Sequence, residues 1–484
     1  MAVRSPGRCA RDLGACMYPW TSLSYGQTSR LSSRQQGRSQ TRIKTLKATL
    51  EGMPRALQAC MEQEQGLNRA LCPSCRNVQA ISWPRGSYDA FWRMPMFTPF
   101  GLERYFAAHE FSARYLLCTS DCESMHVSEL LALGEKEHNA DALWRTWLGY
   151  TESRGLPLLR EKIAKLYAGI RPEEVLVHAG AEEAILNLFM AEIKPGDTVI
   201  VNWPCYQSLY EIPRSLGAAV RKWSIRRTSD RWLFDPDDLA SLLSAEFERS
   251  GSHVKMVVLN TPHNPTGALM TRTELQRIVE LCEHYGVLLL VDEVYRLLEL
   301  HGAERLPAIC DIYQNGISLS VLSKSWGLAG LRIGWLASRR TDILDHVAAV
   351  KDYNSICASA PSETLACIAL DRSSAILERN RSICERNWAR FKALFDKYPE
   401  FFEYVPPQAG SVAFPSLRNE GLRYWPDAYA LAGELLDAVG ALLLPGSLYG
   451  EEFAQHFRIG LGRISAERGI EAFERWLGMR TERI

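Results

Sequence analysis

The sequence predicts an α/β fold: a mostly parallel sheet with helices on both faces, followed by a smaller C-terminal α+β domain. Two observations predict it. Short apolar runs of strand length alternate with helix-length segments through the middle of the chain, which is typical of successive βαβ units. The longest apolar run, residues 286–291, has the length of a buried strand and is far too short for a membrane span.

The predicted elements follow in chain order. Helices are expected at 102–109 and 156–168, and Pro157 in the first turn favours the start of the second. The alternating part has predicted strands at 174–178, 198–201, 255–259, 287–291 and 318–322, and helices at 182–193 and 272–284. Residues 362–395 are expected to be largely helical. Short segments at 411–414, 441–444 and 457–461, with a last helix at 465–478, predict the second domain.

Composition limits the classes of protein to which the chain can belong. It has 484 residues and a formal net charge of zero, with 46% hydrophobic and 23% charged residues, which is ordinary for a globular protein. A neutral chain gives no indication of nucleic-acid binding. No stretch approaches the ~18 apolar residues of a membrane span. We therefore expect neither nucleic acid nor a membrane as a partner.

The first 50 residues differ from the rest, because they carry nine basic residues and one acid, Asp12. An Arg-rich, Ser-rich and acid-poor start is typical of a mitochondrial transit peptide. A disordered tail, or non-native sequence before an internal start at Met53, Met94 or Met96, explains the same composition. We expect residues 1–95 to be a poorly structured extension. The predicted location is cytoplasmic, or mitochondrial if residues 1–50 are a transit peptide.

Cysteine usage indicates a reducing compartment and no metal site. The chain is too long to need disulfide bonds for stability, and no secretory signal pattern opens it. Cys72 and Cys75 form a single CxxC pair. No second cysteine pair or histidine pair follows at the spacing of a zinc ribbon, so a pair of loop thiols is the simpler interpretation.

The segment 323–335, Ser-Lys-Ser-Trp-Gly-Leu-Ala-Gly-Leu-Arg-Ile-Gly-Trp, carries the strongest chemical signal. Lys324 directly follows a predicted buried strand, where an ammonium charge is costly to bury. A lysine in such a place often has a lowered pKa or forms a Schiff base with a carbonyl cofactor. The glycines and Arg332 fit a phosphate pocket, because a backbone approaches closely at glycine and a guanidinium grips phosphate with two donors.

Two further motifs suit an aromatic cofactor. Asn264 lies in the tight turn 261–267, which follows a buried strand and could aim its amide at a ligand. Asp292 ends the most apolar strand and needs a cationic partner there, such as a protonated pyridine nitrogen. Tyr295, three residues later, could bond a phenolic oxygen of the same ring. Singly, Asn264 could be part of an ordinary turn and Asp292 half of a structural ion pair.

Two more motifs complete the set. Gly180 and Ala181 open a helix after a strand, and free N–H groups at such a place suit phosphate. Tyr206 follows another strand and could stack on a flat ring. A simple strand–helix turn and a core aromatic explain these two positions equally well. Because all the motifs stand at the carboxyl ends of strands, where open α/β sheets bind ligands, together they point to one site.

In this order the motifs resemble those of the class I/II aminotransferase family, the pyridoxal-phosphate enzymes of fold type I, over residues 96–484. The resemblance implies a large domain at 141–355 with a seven-stranded sheet and a small domain at 356–484. It also implies an N-terminal arm at 96–140 that lines the substrate entrance. The implied cofactor is pyridoxal 5′-phosphate, and the implied substrates are an amino acid and a keto acid. Members are typically homodimers with shared active sites.

The resemblance also implies a role for each candidate residue. Lys324 would form the Schiff base and move the α-proton, Asp292 would pair with the pyridine nitrogen, and Tyr206 would stack on the ring. The remaining implied contacts are Asn264 and Tyr295 at the phenolic oxygen, Gly180, Ala181, Ser323 and Arg332 at the phosphate, Tyr150 at the phosphate of the neighbouring subunit, and Arg458 with Asn264 at the substrate α-carboxylate.

Two positions depart from the family pattern, and one segment indicates a subgroup of the family. Val321 and Glu182 stand where many members have a hydroxyl residue, and a carboxylate beside phosphate is unfavourable unless it turns away. Residues 100–106, 111–115 and 120–124 resemble a subgroup near capreomycidine synthase and the fungal carbon–sulfur lyases of epipolythiodioxopiperazine pathways.

The expected reaction is transamination of an amino acid, in specialised metabolism. The alternative is β-elimination or β-replacement, such as C–S cleavage or a capreomycidine-synthase-like cyclisation, which the segment 100–124 favours. A non-catalytic protein of the same fold predicts a defect at a key residue, yet the expected lysine, aspartate and arginines are all present. Arg154 and Arg463 are candidates for a second carboxylate site on the substrate, or else solvated surface charges.

Overall fold

The computed structural model describes residues 97–134, 136–249, 251 and 253–481, all within one structural unit, Ala90–Ile484. Four predictions lie outside the described residues and stay predictions. They are the extension at residues 1–95, the transit peptide, the Cys72–Cys75 pair and the internal starts.

Helices and strands alternate along the described residues. The first half contains α1 (Gly101–His109), β1 (Tyr115–Leu116), α2 (Val127–Ala132), α3 (Lys136–Trp144), α4 (Pro157–Ala164), β2 (Val175–His178), α5 (Ala181–Glu192), β3 (Asp197–Trp203), α6 (Ser208–Ser215), β4 (Ala219–Ser224), β5 (Arg226–Arg227), β6 (Trp232–Leu233), α7 (Pro236–Glu248), β7 (His253–Asn260), α8 (Arg272–Tyr285) and β8 (Leu288–Asp292). The second half contains α9 (Ile309–Ile312), β9 (Gly316–Val321), β10 (Gly334–Ala337), α10 (Thr341–Lys351), α11 (Ala360–Asp371), α12 (Ser373–Lys397), β11 (Phe402–Glu403), β12 (Val412–Ala413), β13 (Ser416–Leu417), α13 (Asn419–Tyr424), α14 (Ala428–Val439), β14 (Ala441–Leu442), β15 (Leu444–Pro445), β16 (Phe457–Gly460) and α15 (Ala466–Thr481).

A seven-stranded sheet lies at the centre, in the order β2-β10-β9-β8-β7-β3-β4. Strands β9, β8, β7, β3 and β4 pair in parallel, whereas β10 pairs antiparallel with both β9 and β2. Strand β10 therefore runs against the other six. The predicted seven-stranded, mostly parallel sheet is confirmed.

The central strands are apolar on both faces because helices cover both faces. In β3, Val199 and Val201 pack into the core on one side of the sheet, and Ile200 packs into the core on the other. In β7, Met256 and Val257 divide in the same way. This explains why the strands appear in the sequence as unbroken apolar runs without alternation.

Local signals set the ends of some helices, and α8 is the clearest example. The hydroxyl of Thr271 accepts a hydrogen bond from the backbone N–H of Glu274 at 3.2 Å, and the Glu274 carboxylate accepts one from the Thr271 N–H at 2.6 Å. Gly286 ends the helix with φ 67°, in the left-handed region that favours glycine. Such a capping box and glycine stop are readable directly from the sequence.

The C-terminal part forms a smaller α+β layer, as predicted. Strands β12, β16 and β15 make an antiparallel sheet, and helices α12, α14 and α15 supply apolar side chains to its core. The N-terminal arm joins this layer, since β1 pairs in parallel with β14 and Leu117 and Cys122 are buried in the same core. The residues between them, Thr119 to Asp121, are thereby carried to the wall of a cavity at the sheet edge.

Some features differ from the prediction. Strands β4 and β10 were not predicted; β10 is four residues long and is held by β2 and β9, which are distant in sequence. Helix α4 ends at Ala164 and not at residue 168, because the N–H groups of Ala168 and Gly169 instead donate to the carboxylate of Asp311 at 2.9 Å each.

Candidate active site

A cavity of about 500 Å³ opens at the carboxyl edge of the central sheet. Strands β2, β3, β7, β8 and β9 end at this edge, and β10 begins there because it runs the other way. Nine of the predicted residues line the cavity, namely Ala181, Tyr206, Asn264, Asp292, Tyr295, Ser323, Lys324, Arg332 and Arg458. The structure thus brings together motifs that span most of the described chain.

Two predicted residues lie elsewhere. Gly180 does not line the cavity but lies against Arg332, since a Cβ atom on Gly180 would be 2.5 Å from Arg332 Nη2. Tyr150 is outside the cavity, and 79% of its side chain is exposed. Its exposure is what a contact with a neighbouring subunit requires, and that contact stays a prediction.

Lys324 follows β9 and points its amine towards the N-terminal arm. Its Nζ donates a hydrogen bond to Ser120 Oγ at 2.9 Å. Burial lowers the pKa of Lys324, while the negative charge of Asp121 opposes this shift. An amine in these surroundings is more readily neutral than an ordinary lysine, which proton transfer requires.

Asp292 ends β8 and is buried. Its Oδ1 accepts a hydrogen bond from the backbone N–H of Val294 at 3.2 Å. Burial raises the pKa of Asp292 to about 7, against the opposing effects of that hydrogen bond and of Lys324. A carboxyl group with this pKa is half ionised near neutrality and is stabilised by any cationic group placed against it.

Asn264, Tyr449 and Arg458 form a buried polar cluster. The Asn264 Oδ1 accepts hydrogen bonds from Tyr449 OH at 2.9 Å and from Arg458 Nη1 at 3.1 Å, and Arg458 Nη1 also donates to Tyr449 OH at 2.7 Å. Arg458 Nε and Nη2 donate to the backbone oxygen of Cys118 at 3.1 and 2.8 Å. No carboxylate of the described residues pairs with this guanidinium, so its charge is available to a ligand.

Tyr206 and Glu182 lie side by side near the start of α5. The hydroxyl of Tyr206 donates to Glu103 Oε1 at 3.1 Å. Glu182, which departs from the family pattern, accepts a hydrogen bond from Ser208 Oγ. Burial raises the pKa of Glu182, so its protonated form is favoured and its repulsion of a nearby anion is reduced.

Several residues of the site were missed by sequence reasoning. Ser120, the hydrogen-bond partner of Lys324, and Glu103, the partner of Tyr206, lie in segments that were singled out without any role for these two side chains. Tyr449 carries no sequence signal, because it follows no strand-end motif and joins the polar site only through its contact with Asn264 and Arg458. Arg154 and Arg463 are paired with Asp345 and Asp121, each at 2.6 Å.

Comparison with known proteins identifies the family. Over residues 116–473 the sequence matches the family described as aminotransferase class I and II. The chain belongs to the class I and II aminotransferases. It is therefore a pyridoxal-phosphate-dependent transaminase of fold type I, with an amino acid and a keto acid as its substrates.

Individual relatives match similar shares of the chain. Capreomycidine synthase of Streptomyces vinaceus is 28% identical over 382 residues, which are 78% of this chain and 93% of that protein. A crystal structure of a PLP-dependent aminotransferase from Streptococcus suis 89-1591 has a TM-score of 0.72 and 33% identity, covering 79% of this chain and 98% of that one. The PLP-dependent cyclase OrfR has a TM-score of 0.71 and 25% identity over 79% and 98% of the two chains.

The aminotransferase cavity fits the phosphate of this cofactor. Ser323 is buried in the wall, and its hydroxyl has no hydrogen-bond partner among the described residues. Arg332 is exposed beside it, with a left-handed backbone (φ 53°) that is uncommon outside glycine and often marks a functional position. The first N–H groups of α5 open at Ala181. An unpaired hydroxyl, a guanidinium and a helix N-terminus are the donors that a phosphate needs.

The described residues contain neither a membrane-spanning helix nor a group of side chains arranged for a metal ion. Among the described helices, none is long and apolar enough to cross a membrane. Within residues 97–134, 136–249, 251 and 253–481, no group of three or more His, Cys, Asp or Glu side chains is arranged to hold a metal ion.

Proposed function

We propose that this aminotransferase moves the amino group of a free amino acid to a keto acid, with the predicted residues in the roles that their positions support. One observation carries the proposal: the amine of Lys324, the carboxyl of Asp292 and the guanidinium of Arg458 line one cavity. Bound pyridoxal phosphate supplies a ring that withdraws electrons from the substrate α-carbon.

In this proposal Lys324 Nζ holds the cofactor in the resting enzyme and then carries the α-proton. Burial lowers the pKa of Lys324, so that the neutral amine able to accept a proton is more accessible than in an ordinary lysine. Ser120 Oγ accepts a hydrogen bond from Nζ and limits its rotation. The same amine then returns the proton to the position that completes the transfer.

The residues around Lys324 bind and orient the cofactor and the substrate. Asp292, buried at the end of its strand, pairs with the ring nitrogen and keeps it protonated, because a cation is the partner that a buried carboxylate requires. Asn264, Tyr295 and Tyr206 also line the cavity: the first two would hold the phenolic oxygen of the cofactor, and Tyr206 would pack against its ring. Arg458 binds the substrate α-carboxylate through its positive charge and the Nη2 hydrogen that its bonds to Cys118, Asn264 and Tyr449 leave free.

The phosphate group would be held by Gly180, Ala181, Ser323 and Arg332. Three of them line the cavity, Gly180 lies against Arg332, and the Ser323 hydroxyl has no partner among the described residues. We propose that the enzyme is a homodimer and that Tyr150 of a neighbouring subunit completes this phosphate site. The exposed apolar side chains next to Tyr150 support the proposal, since contiguous exposed apolar surface is typical of subunit contacts.

A second candidate is β-elimination or β-replacement on the same cofactor. The arm segment from Phe100 to Asp121 lines the cavity, and it is the segment that resembles the capreomycidine synthase and C–S lyase subgroup. Similarity to capreomycidine synthase and to the cyclase OrfR favours the same candidate. The two reactions share the steps carried out at Lys324 and differ in whether a β-substituent leaves.

A single turnover of the purified holoenzyme distinguishes these candidates. The enzyme is mixed with a panel of amino acids, including cysteine conjugates, without a keto-acid acceptor, and the extracted cofactor is identified by mass spectrometry. Pyridoxamine phosphate and an equivalent of keto acid are the expected products. Unchanged pyridoxal phosphate, with released ammonia and leaving group, would instead establish the lyase.

A further inference from the structure

One face of helix α1 presents three side chains to the cavity. Glu103, Phe106 and Glu110 stand at positions i, i+3 and i+7, which share one face of a helix, and all three line the cavity. Glu110 directly follows the helix and keeps a helical backbone. The guanidinium of Arg458 lies 5.8 Å from the centre of the Phe106 ring. A substrate whose α-carboxylate is held by Arg458 therefore lies beside this face.

The positive charges of the cavity already have uses in the proposed function. Lys324 serves the proton transfer, Arg332 the phosphate and Arg458 the α-carboxylate. Arg463, next to the cavity, is paired with Asp121 at 2.6 Å. The described residues thus leave no free cation in the cavity wall for an anionic substrate side chain.

The negative charges are in excess. Five acids line the cavity. Asp292 has the ring nitrogen as its proposed partner, Asp121 has Arg463, and Glu182 accepts from Ser208. The remaining two are Glu103, which accepts one hydrogen bond from Tyr206, and Glu110. Neither forms an ion pair with a cation in the part of the chain that the structure describes.

A neutral polar group on the same side also lacks a partner. Thr119 is 3% exposed and lines the cavity, and its hydroxyl makes no hydrogen bond within the described residues. A buried hydroxyl without a partner is costly unless a bound molecule satisfies it. Thr119 precedes Asp121 by two residues, so this hydroxyl belongs to the acidic side of the cavity and points to a ligand there.

We propose that Glu110, with Glu103 as the second carboxylate of the same face, binds the positively charged side chain of the amino-acid substrate, an ammonium or a guanidinium. The inference rests on the proposed function, because it takes Arg458 as the clamp that orients the substrate. About 10 Å of helix separates positions 103 and 110, so the two carboxylates flank the substrate at different depths. Within the described residues Glu110 forms no ion pair or hydrogen bond with Lys324, Asp292 or Arg458, although the charge of Lys324 acts on it.

The electrostatics of Glu110 agree with this assignment. Burial and the neighbouring charges of Asp121 and Glu103 raise its pKa, while Arg463 and Lys324 oppose the shift. A carboxylate repelled by two others gains more from a bound cation than an isolated one does. A substrate cation therefore neutralises a wall that is otherwise destabilised by like charges.

The test compares amino acids of equal shape and different charge. Arginine and citrulline differ in a guanidinium against a neutral ureido group, and lysine and norleucine differ in an ammonium. We expect wild-type holoenzyme to show a kcat/KM about tenfold to hundredfold higher for the cationic member of at least one pair. Glu110→Gln should remove most of that preference, by lowering the kcat/KM of the cationic member much more than that of the neutral member.

Glu400→Gln is the matched control, because Glu400 is an exposed glutamate outside the cavity. Equilibrium binding of the α-methyl analogues, which lack the hydrogen that is removed, gives a readout separate from turnover. Equal or better use of the neutral members by the wild type would overturn the inference, as would a preference that Glu110→Gln leaves intact. If no amino acid of any charge converts the cofactor, the proposed function itself is at fault.

Discussion

Lys324 shows at the scale of one residue why a buried lysine indicates chemistry. A charged amine below a protein surface is costly, and in this site burial lowers its pKa while its Nζ donates to Ser120 Oγ at 2.9 Å. Removing the amine relieves that cost and forfeits about 1 kcal/mol of hydrogen bonding. We therefore expect Lys324 to contribute little to the stability of the fold and much to the proposed reaction.

We expect Lys324→Ala to abolish the visible absorption band of the covalently held cofactor and all transamination, while circular dichroism and the unfolding midpoint stay near those of the wild type. Lys194→Ala, at an exposed lysine outside the cavity, should change neither the spectrum nor the activity. An unchanged absorption band in Lys324→Ala would refute the assignment.

Asp292 gives a pH-dependent prediction for the cofactor-free protein. Burial raises the pKa of Asp292 to about 7, whereas an aspartate in the unfolded chain ionises near pH ~4. Between these values the folded state keeps a proton that the unfolded state has lost. The free energy of unfolding therefore falls as pH rises from about 4 to about 7. Below about pH 4 both states carry the proton, so ionisation of Asp292 no longer lowers the free energy of unfolding.

Asp292→Asn should reduce that fall by about 2–4 kcal/mol and also weaken cofactor binding, measured by urea unfolding at several pH values and by equilibrium dialysis. Glu293 is the matched control, since burial raises its pKa to about 7 as well but its carboxylate bonds Ser318 and the Ile309 N–H. Glu293→Gln should reduce the pH dependence and retain the cofactor. Equal cofactor affinities in the two variants would argue against Asp292 as the ring partner.

At the scale of the element, the start of α5 depends on two glycines that let neighbouring atoms come close to the backbone. Gly180 has φ 98°, and its missing Cβ leaves room for the guanidinium of Arg332. Gly334, at the start of β10, lies so close that a Cβ there would come 2.7 Å from the Ala181 nitrogen. An antiparallel strand thus presents Arg332 beside a helix N-terminus, which makes a pocket for an anion.

Gly180→Ala should cost about 1–2 kcal/mol of stability, because a side chain is forced into the left-handed region, and should also lower cofactor affinity about tenfold or more by displacing Arg332. Gly196 provides the control: its φ is 93°, yet a Cβ there meets nothing within 4 Å. Gly196→Ala should lose similar stability in urea unfolding and bind cofactor normally. A Gly180→Ala variant with unchanged cofactor affinity would contradict the phosphate assignment.

At the scale of the whole molecule, four strongly exposed apolar side chains lie close together in sequence, from the end of α3 to Tyr150. Trp144, Trp147, Leu148 and Tyr150 are all more than three-quarters exposed. A large apolar patch on a protein surface usually marks an interface. We place the subunit contact of the proposed homodimer there, with Tyr150 reaching the phosphate site of the neighbouring subunit.

Replacing Trp147 and Leu148 by Ser should convert the dimer to a monomer in sedimentation equilibrium and lower cofactor occupancy, because each site loses its shared tyrosine. Met479→Ser, at an exposed apolar residue of the last helix, should leave the dimer intact. Tyr150→Phe should keep the dimer and weaken only the cofactor. A wild-type protein that sediments as a monomer with full cofactor occupancy would exclude this arrangement.

The chain pattern by itself determined the fold class and predicted most of the residues that are proposed to bind the cofactor. Apolar runs flanked by turn residues specify strands, Thr271 and Gly286 cap a helix, and residues at the ends of parallel strands meet at one edge. Lys324, Asp292 and Asn264 could be predicted for that reason, since Asp292 ends a strand and the other two follow strands whose positions are set by local sequence. The boundaries of the domains at residues 140 and 355 stay predictions.

Only the tertiary structure decided which side chains from distant segments complete the cavity. Arg458 bonds the backbone of Cys118, 340 residues away in the sequence, and Tyr449 meets Asn264 across 185 residues. The acidic face of α1 and the unpredicted strand β10 are equally non-local. Which residues contact α1 and β10 depends on how the layers pack against each other. That packing is set by the summed burial of many side chains, so the sequence of each segment shows no periodic pattern that predicts it.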